Sequence, residues 1–315
     1  MARRDGSRLS RPDGSRLSRP RIAVVGSANM DLVATAPRLP QPGETLLGSD
    51  FVTVPGGKGA NQAIAAARAG GDCVFLGAVG SDSFGVTLTG RIARSGVDTS
   101  QLRVVYGPSG VAVVMVNAAG ENAIVVTPGA NAAFHGLTEP ELAAVRRADV
   151  LVAQLEIPLE TVQAAASAAR DAGTRVVLNA APARQLPAEL LDLVDLLVVN
   201  EVEARAIAGA AGEDPTALLS VVPRAVLTLG ARGAWFVDRD GPAHHVPAFV
   251  VATVDSTAAG DAFTGALAVA WGEGRDLGSA VRWASAAGAA CVRRLGASVS
   301  LPERAEIDAL AADVE

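Results

Sequence analysis

The chain has 315 residues, 50% of them hydrophobic, and a formal net charge of −6. That length and apolar content suffice for one large α/β domain or two ordinary ones, and they exclude an intrinsically disordered protein. No apolar run approaches the roughly 18 residues of a membrane span, and the N-terminus lacks the charged and then apolar pattern of a secretory signal. We therefore expect a cytoplasmic protein that does not contact a membrane.

The first 21 residues differ in charge from the rest of the chain. They carry seven Arg and two Asp, a charge of +5 that leaves −11 for the remainder. The sequence DGSRLSRP occurs at 5–12 and again at 13–20 without an apolar period, so residues 1–20 are expected to be a disordered, duplicated basic leader. The acidic remainder, 21–315, argues against a nucleic-acid surface. The alternative for the leader is a nucleic-acid-binding arm.

From residue 21 onward, short apolar runs alternate with helical patterns. Strands are predicted at 21–27, 72–80, 149–155, 175–180, 196–200, 225–230, 234–238 and 243–251. Helices are predicted at 59–70, 84–95, 158–172, 201–221, 259–272 and 276–293, with a looser proline-containing link at 181–194. Repeated β-α units of this kind form a parallel sheet with helices on both faces. The fold class is therefore α/β, with one mostly parallel central sheet in a single domain.

Two stretches do not follow this alternation. Residues 45–54 alternate between apolar and polar side chains, and residues 110–129 have the pattern of a hairpin that turns around Ala119-Gly120-Glu121-Asn122. We expect these strands, from about 35–54 and 104–127, to form a small separate sheet that covers a binding site.

Polar residues follow most of the buried runs. Ligands of open parallel sheets bind beyond the carboxyl ends of the strands, which makes these residues candidates for a site. They are Asn29, Asp31, Glu156, Asn179, Asn200, Glu203 and Thr228. Each alone is more often a helix cap or turn residue, but their recurrence at one edge favours a site. Cys73 and Cys291, by contrast, have no metal-binding spacing and are expected to be buried thiols.

The segment DSTAAGDAFTGALA at 255–268 has the pattern of an anion site. Ala258, Ala259 and Gly260 begin a helix without bulky side chains, so free N–H groups and the positive end of the helix dipole can face an anion. Asp261 follows in the first turn. It is either an acid favoured there by the dipole or a base beside an anion, as phosphoryl transfer requires.

Lys58 is the only lysine in the chain and lies in the glycine-rich run PGGKGAN at 55–61. Glycines around a lysine are typical of a phosphate-binding loop, but such a loop needs Ser or Thr after the lysine, where this chain has Gly59. The glycines allow close backbone approach, Lys58 adds a slim donor, and Asn61 adds an amide one helical turn later. This combination favours a polyol rather than a triphosphate.

Nine motifs together resemble the ribokinase family of carbohydrate kinases. They are NMD (29–31), PGETLLG (42–48), GGKGANQA (56–63), GSDSFG (80–85), QLE (154–156), NAAPAR (179–184), NEVEA (200–204), TLGARG (228–233) and DSTAAGD (255–261). The likeness continues in order from about Arg21 to the C-terminus. It implies a ribokinase-like fold with a β-sheet lid, and ATP-dependent phosphorylation of D-ribose at O5. The alternatives are a kinase for deoxyribose, fructose or adenosine on the same fold, and a non-catalytic sugar sensor.

The resemblance also implies roles for single residues. Asp261 is implied as the catalytic base, with Ala258, Ala259 and Gly260 as the anion hole. The sugar-binding residues implied are Asn29, Asp31, Gly57, Lys58, Asn61, Glu156 and Asp261. The nucleotide-binding residues implied are Asn200, Thr228, Leu229, Gly230, Ala231, Arg232, Gly233, Gly260 and Ser285.

Two cations and an oligomer are implied in the same way. Mg²⁺ is expected with ATP, held through water by Asn200 and Glu203. K⁺ is expected as a monovalent activator, bound largely by backbone carbonyls at Asp255, Thr257, Cys291, Arg294, Gly296 and Ser300. A homodimer is expected to form through the lid. The main departure from the family pattern is Thr257, where relatives commonly have Ile, and it puts the cation site or the adenine pocket in doubt.

Overall fold

The computed structural model describes residues 19–209, 212, 214–239 and 241–312. Residues 1–18 of the expected leader therefore lie outside the described residues. The strands are β1 (Arg21–Val25), β2 (Asn29–Thr35), β3 (Asp50–Gly56), β4 (Asp72–Gly80), β5 (Leu102–Val105), β6 (Gly110–Val116), β7 (Asn122–Thr127), β8 (Val150–Ala153), β9 (Arg175–Asn179), β10 (Leu196–Asn200), β11 (Arg224–Thr228), β12 (Ala234–Asp238) and β13 (His244–Val246). The helices are α1 (Lys58–Arg68), α2 (Ser83–Arg94), α3 (Glu139–Arg147), α4 (Leu159–Ala172), α5 (Ala188–Leu191), α6 (Glu201–Ala208), α7 (Ala259–Gly272), α8 (Leu277–Cys291) and α9 (Arg304–Ala312).

The central sheet has nine strands within the described residues, in the order β13-β12-β11-β10-β9-β8-β1-β4-β5. The pairs from β11 to β5 are parallel, and only the β11–β12 and β12–β13 pairs are antiparallel. The predicted α/β class with a mostly parallel sheet is therefore confirmed. Because chain order reverses at β1, the carboxyl ends of β1 and β8 border a crevice, where ligands of such sheets bind.

Helices cover both faces of this sheet. Alternate residues of β1 face opposite sides, so Ile22 and Val24 pack in one core and Ala23 and Val25 in the other. The first core is closed by α1, α7, α8 and α9, and the second by α3, α4, α5 and α6. Burial on both faces explains why the parallel strands have continuous apolar runs. No helix in the described part of the chain is long and apolar enough to cross a membrane.

The smaller sheet has the strand order β3-β2-β6-β7. The hairpin expected at 110–129 is confirmed as the antiparallel pair β6–β7. The strand expected at 45–54 begins only at Asp50. The central position of β2 was not expected, because Asn29 and Asp31 have the polarity of a loop that follows β1. They lie instead within β2, and β2 pairs with β3 and β6.

Several elements differ from the sequence-based expectation. The helix expected at 201–221 ends at Ala208, Pro215–Ser220 forms a 3-10 helix, and residues 210, 211 and 213 lie outside the described part. The strand expected at 243–251 is limited to His244–Val246. The link expected at 181–194 contains the short helix α5. β5, α3 and α9 were also not predicted, although Thr138 and Glu141 form a capping box that marks the start of α3.

Candidate active site

The glycine-rich run before α1 packs directly against the chain between β1 and β2. Gly57 has φ 91°, in the left-handed region that favours glycine. A Cβ atom at this position would lie 2.6 Å from the amide nitrogen of Asn29 and 2.8 Å from Cα of Ala28. Only glycine fits this approach, and it places Lys58 at the first position of α1. The run is therefore a close backbone contact that positions Lys58.

A carboxylate occupies the N-terminal end of α1. The backbone N–H of Lys58 donates to Oε2 of Glu156 at 3.2 Å, and the hydroxyl of Ser27 donates to the same oxygen at 2.6 Å. The free amides and dipole of a helix N-terminus attract an anion, and in this helix Glu156 provides it. Glu156 and the backbone of Lys58 are therefore in direct contact.

Asp261, in the first turn of α7, lies against the same helix α1. Its side chain is buried, with 8% of the residue exposed. Asn61 Nδ2 donates to Oδ2 of Asp261 at 3.0 Å, and Gln62 Nε2 donates to Oδ1 at 2.9 Å. Each carboxylate oxygen thus accepts one amide hydrogen bond from α1. The structure therefore brings the PGGKGAN and DSTAAGD motifs into contact.

Burial and neighbouring charges shift the pKa values of Asp261 and Lys58. Burial raises the pKa of Asp261, and the positive charge of Lys58 with the two amide donors offsets part of that increase. Burial lowers the pKa of Lys58, but the carboxylates of Asp261, Glu156 and Glu203 outweigh it, so the pKa is raised overall. Lys58 consequently remains a cation among these carboxylates.

Asn29 and Asp31 project from β2 into the same region. The carboxylate of Asp31 lies directly over Gly56, where a Cβ atom would collide with it. Burial, together with the charges of Glu156 and Asp261, raises the pKa of Asp31 to about 7. Oδ1 of Asn29 accepts a hydrogen bond of 2.7 Å from Asn131 Nδ2, which orients that amide.

The start of α7 exposes backbone donors next to Asp261. Ala258, expected in the helix, instead precedes it with φ 61°, and α7 begins at Ala259. The amide of Ala259 donates to Ser256 O at 3.2 Å, while within the described residues the amides of Ala258, Gly260 and Asp261 have no acceptor. Orphan N–H groups at a helix start form an anion site. The backbone N–H groups that are available to bind an anion are therefore centred on Gly260.

The segments expected to bind nucleotide follow two neighbouring parallel strands. Asn200 at the end of β10 is paired in register with Thr228 at the end of β11. The following residues, Leu229, Gly230, Ala231, Arg232 and Gly233, form a tight turn, with Leu229 N donating to Gly233 O at 2.8 Å. Arg232 makes an ion pair of 2.6 Å with Glu201. Ser285 lies in α8 and donates its hydroxyl to Val281 O within that helix, so its contacts do not join it to the strand ends.

A comparison with protein-family models gives a match to "pfkB family carbohydrate kinase" over residues 19–304. The chain belongs to this family. Ribokinase of Haemophilus influenzae is 38% identical to this pfkB-family kinase over 295 residues, which is 90% of this chain and 96% of that protein. Ribokinase of Bacillus subtilis is also 38% identical, over 92% of this chain and 98% of that protein.

A solved structure, that of Arabidopsis thaliana ribokinase complexed with ribose and ATP, matches this pfkB-family kinase with a TM-score of 0.88. Its sequence identity is 33%, and the match covers 93% of this chain and 99% of that one. The expectations of family membership and of a carbohydrate kinase fold are therefore confirmed.

In this pfkB-family kinase, the two loops expected to hold a monovalent cation contact each other. One precedes α7 and the other follows α8. Asp255 N donates to Val292 O at 3.2 Å, and Gly296 N donates to Oδ2 of Asp255 at 2.8 Å. Sγ of Cys291 lies 3.6 Å from Thr257 O and 3.1 Å from Oγ of Ser300. Burial raises the pKa of Asp255, and the hydrogen bonds from Thr257 and Gly296 lower it by more, so Asp255 is an ionised carboxylate between the two loops.

Asn200 and Glu203, expected to hold magnesium through water, also cap α6. Asn200 Oδ1 accepts from Glu203 N at 2.9 Å, and Glu203 Oε2 accepts from Asn200 N at 2.8 Å. This capping box accounts for both residues structurally. Among the described residues, no group of three or more His, Cys, Asp or Glu could hold a metal. The residues therefore fit a hydrated ion bound together with phosphates and do not fit a protein cage.

The sequence patterns do not predict four polar side chains that the structure places next to Glu156, Asp261, Asn29 and one another. They are Ser27, Gln62, Asn131 and Gln154, and all four are buried. Buried polar groups in apolar surroundings require partners. The signal available in the sequence was the position of Gln62 and Gln154 inside the GGKGANQA and QLE motifs.

Proposed function

We propose that this chain catalyses the ATP-dependent phosphorylation of D-ribose at O5, which yields ribose 5-phosphate and ADP. One observation carries the proposal: Asp261 is buried and held by Asn61 and Gln62, beside unpaired backbone amides at the start of α7. A carboxylate next to an anion site suits transfer of a phosphoryl group to a hydroxyl. The 38% identity to two ribokinases over 90% and 92% of this chain supports ribose as the acceptor.

In this mechanism Asp261 accepts the proton of the O5 hydroxyl as O5 attacks the γ-phosphate of ATP. The phosphorus–oxygen bond to ADP breaks as the new bond to O5 forms. The amides centred on Gly260 stabilise the negative charge of the moving phosphoryl group. Because burial raises the pKa of Asp261 above the ordinary aspartate value, its carboxylate is a stronger base than one in water.

The sugar would bind between β2, the start of α1 and the end of β8. The proposed contacts are Asn29, Asp31, Gly57, Lys58, Asn61 and Glu156. This set combines acceptors from carboxylates with donors from Lys58 and the amides, as a ring of hydroxyl groups requires. Oδ1 of Asn61 is buried without a partner among the described residues. A sugar hydroxyl would satisfy this orphan acceptor.

ATP would lie along the ends of β10 and β11, with its phosphates directed toward Gly260. Asn200, the turn Thr228–Gly233 and Ser285 are the proposed nucleotide contacts. Mg²⁺, when bound with ATP, neutralises phosphate charge, and Asn200 and Glu203 would hold it through water. The proximity of Glu203 to Lys58, seen in the charge interaction between them, supports its presence near the phosphates.

K⁺ is the proposed activator at the loops that contain Asp255, Thr257, Cys291, Arg294, Gly296 and Ser300. The loop with Asp255 and Thr257 directly precedes α7, and the other loop follows α8, so a cation between them would order the backbone of the anion site. The contacts between Asp255, Val292 and Gly296 support this proposal. Thr257 donates its hydroxyl to Asp255 at 2.6 Å, so the departure from Ile adds a bond within the loop.

A homodimer through the small sheet is also proposed. Phe51, Val113 and Val125 lie on one face of this sheet, and 60%, 42% and 64% of their surfaces are exposed. Ile124 and Val126, on the face that carries Asp31, are exposed as well. An exposed apolar sheet of this kind is typical of a protein interface.

The test of function measures ADP formation with ribose, deoxyribose, fructose and adenosine, each with and without K⁺. We expect ribose to give the highest kcat/KM and K⁺ to increase it. A preference for another acceptor would reassign the substrate within the family. ADP formation with none of them, combined with ribose binding in calorimetry, would favour the sugar sensor. A matched Asp261→Asn variant reports ADP formation that does not depend on the proposed base.

A further inference from the structure

Gln62 is fully buried beside Asp261 and forms hydrogen bonds in three directions. Its Nε2 donates to Asp261 Oδ1 at 2.9 Å and to Asn179 Oδ1 at 3.0 Å. Its Oε1 accepts from Nε2 of Gln154 at 2.6 Å. Asn179 Nδ2 in turn donates to the backbone oxygen of Val198 at 3.2 Å. The network joins the ends of β8 and β9 and the middle of β10 to the first turn of α7.

The two ends of this network determine the direction of the Gln62 and Asn179 amides, and Gln154 donates to the oxygen of Gln62 while its own Oε1 has no partner among the described residues. An ionised Asp261 and the carbonyl of Val198 can only accept hydrogen bonds. If the Gln62 amide were rotated by half a turn, its oxygen would face Oδ1 of Asp261. If the Asn179 amide were rotated, its oxygen would face the carbonyl oxygen of Val198. An unpaired buried polar atom costs free energy, so one orientation is strongly preferred. In that orientation, Nε2 of Gln62 directs one N–H at the carboxylate of Asp261 and the other at Oδ1 of Asn179.

We propose that Gln62 is the positioning residue of Asp261, and that Gln154 and Asn179 hold the Gln62 amide in the orientation that stabilises the ionised carboxylate. The inference rests on the proposed role of Asp261 as base. A hydrogen bond donated to a carboxylate favours its charged form, whereas burial favours the neutral form. Gln62 therefore keeps a buried base ionised and fixes its side-chain rotamer. The sugar contacts proposed above do not include Gln62, Gln154 or Asn179.

Other titratable groups surround Asp261, and the test must separate their effects from that of Gln62. They are Lys58 of α1, Glu156 after β8, Asp31 of β2, Glu203 of α6 and Cys291 of α8. A Gln62→Met substitution removes a neutral amide of similar size and leaves all of these groups in place. A change in the pH dependence then reports the lost hydrogen bond rather than a lost charge.

The experiment compares Gln62→Met and Gln154→Met with the unmodified chain. For Gln62→Met we expect kcat to fall about 10- to 100-fold with ribose KM nearly unchanged, because a misplaced base affects turnover more than binding. The acid limb of kcat should move upward by about one pH unit, since the carboxylate loses a donor. Gln154→Met should cause smaller changes in the same direction, and the double variant should be no worse than Gln62→Met alone.

Thr174→Val is the matched control. Thr174 is a buried polar residue at the opposite end of the sheet, where its hydroxyl donates to Ala148 O at 2.9 Å. This variant should lower the melting temperature while kcat and the pH profile stay unchanged. The proposal would be overturned if Gln62→Met lowered the melting temperature and the activity together while the acid limb of kcat stayed at the same pH. Gln62 would then have a purely structural role. Should Gln62→Met fail to fold, Gln154→Met decides by the same criteria.

A second measurement does not depend on turnover. The carboxyl carbon of Asp261 can be titrated by NMR in protein labelled with ¹³C-aspartate, with Asp261→Asn providing the assignment. We expect the pKa of Asp261 to be higher in Gln62→Met than in the unmodified chain. If the unmodified chain phosphorylated no sugar, the proposed function would fail while this titration still decided the role of Gln62. An unchanged pKa would overturn that role whatever the activity.

Discussion

Nδ2 of Asn61 donates to Oδ2 of Asp261 across 3.0 Å, although the two residues are 200 positions apart in the chain. This bond joins the first turn of α1 to the first turn of α7. The residues proposed to bind the sugar and the residue proposed to activate it therefore belong to one hydrogen-bonded unit. A change at either helix start should affect the other.

Asp261→Asn should reduce ribose-dependent ADP formation by about 10²- to 10⁴-fold, because an amide cannot take the proton of the O5 hydroxyl. Ribose binding, measured by calorimetry, should stay within a few-fold of the original value. Asp276→Asn is the control: Asp276 caps α8 through Ser279 N at 2.9 Å and is not one of the proposed contacts. Turnover that survives in Asp261→Asn would rule out the proposed base.

Lys58→Arg should raise the KM for ribose about tenfold, since a planar guanidinium cannot occupy the space of a compact ammonium among Asp261, Glu156 and Glu203. Steady-state kinetics with varied ribose measures this effect. Arg68→Lys, at the other end of α1, exchanges the same residue types in an ion pair with Glu303 and should leave KM unchanged. An unaltered KM in Lys58→Arg would mean that Lys58 does not contact the sugar.

The pH dependence of kcat/KM should show an acid limb near pH 7. The pKa of Asp31 is raised to about 7, so this carboxylate gains a proton as the pH falls through that value and loses an acceptor for sugar hydroxyls. In Asp31→Asn the limb should move to lower pH, because removing this charge also eases ionisation of Asp261. If the limb stayed near pH 7 in Asp31→Asn, another group would be responsible.

Val125→Glu should convert the proposed dimer into a monomer, as measured by light scattering after size-exclusion chromatography. Val125 lies opposite Val113 on the exposed apolar face of the small sheet, and a buried charge there would be unpaired. Val104→Glu is the control, since Val104 has a similar exposure of 67% but lies on β5 at the edge of the central sheet. An unmodified chain that is already monomeric would contradict the proposed dimer.

Asp255→Asn should increase the K⁺ concentration required for half-maximal activation. Asp255 joins two loops, because one oxygen accepts from Thr257 and the other from Gly296 N. Asp214→Asn is a matched control: Asp214 makes the same pair of bonds to Thr216 N and Oγ1, in an exposed turn. Equal K⁺ dependence in both variants would contradict a cation site at Asp255.

Much of the site could be predicted because its residues lie in local patterns. The small residues before Asp261 and the glycines around Lys58 have properties that depend on a few neighbouring positions. Asn29 and Asp31 were candidates from the sequence, but their position within a strand could not be predicted, because β2 is completed by strands distant in sequence, β3 and β6. The hydrogen bond from the Ala259 amide to Ser256 O could not be predicted either, because it depends on the left-handed backbone conformation of Ala258.

By itself, the sequence determined the alternation of strands and helices, the hairpin β6–β7 and the helix starts near Lys58 and near Asp261. These features follow from apolar period, glycine placement and local hydrogen bonding, which act over a few residues. Only the tertiary structure decided that Glu156 fills the N-terminus of α1, and that Gln62 joins Asp261 to Asn179 and Gln154. Those contacts span about a hundred residues or more, and their partners are chosen by how the strand ends and helices pack.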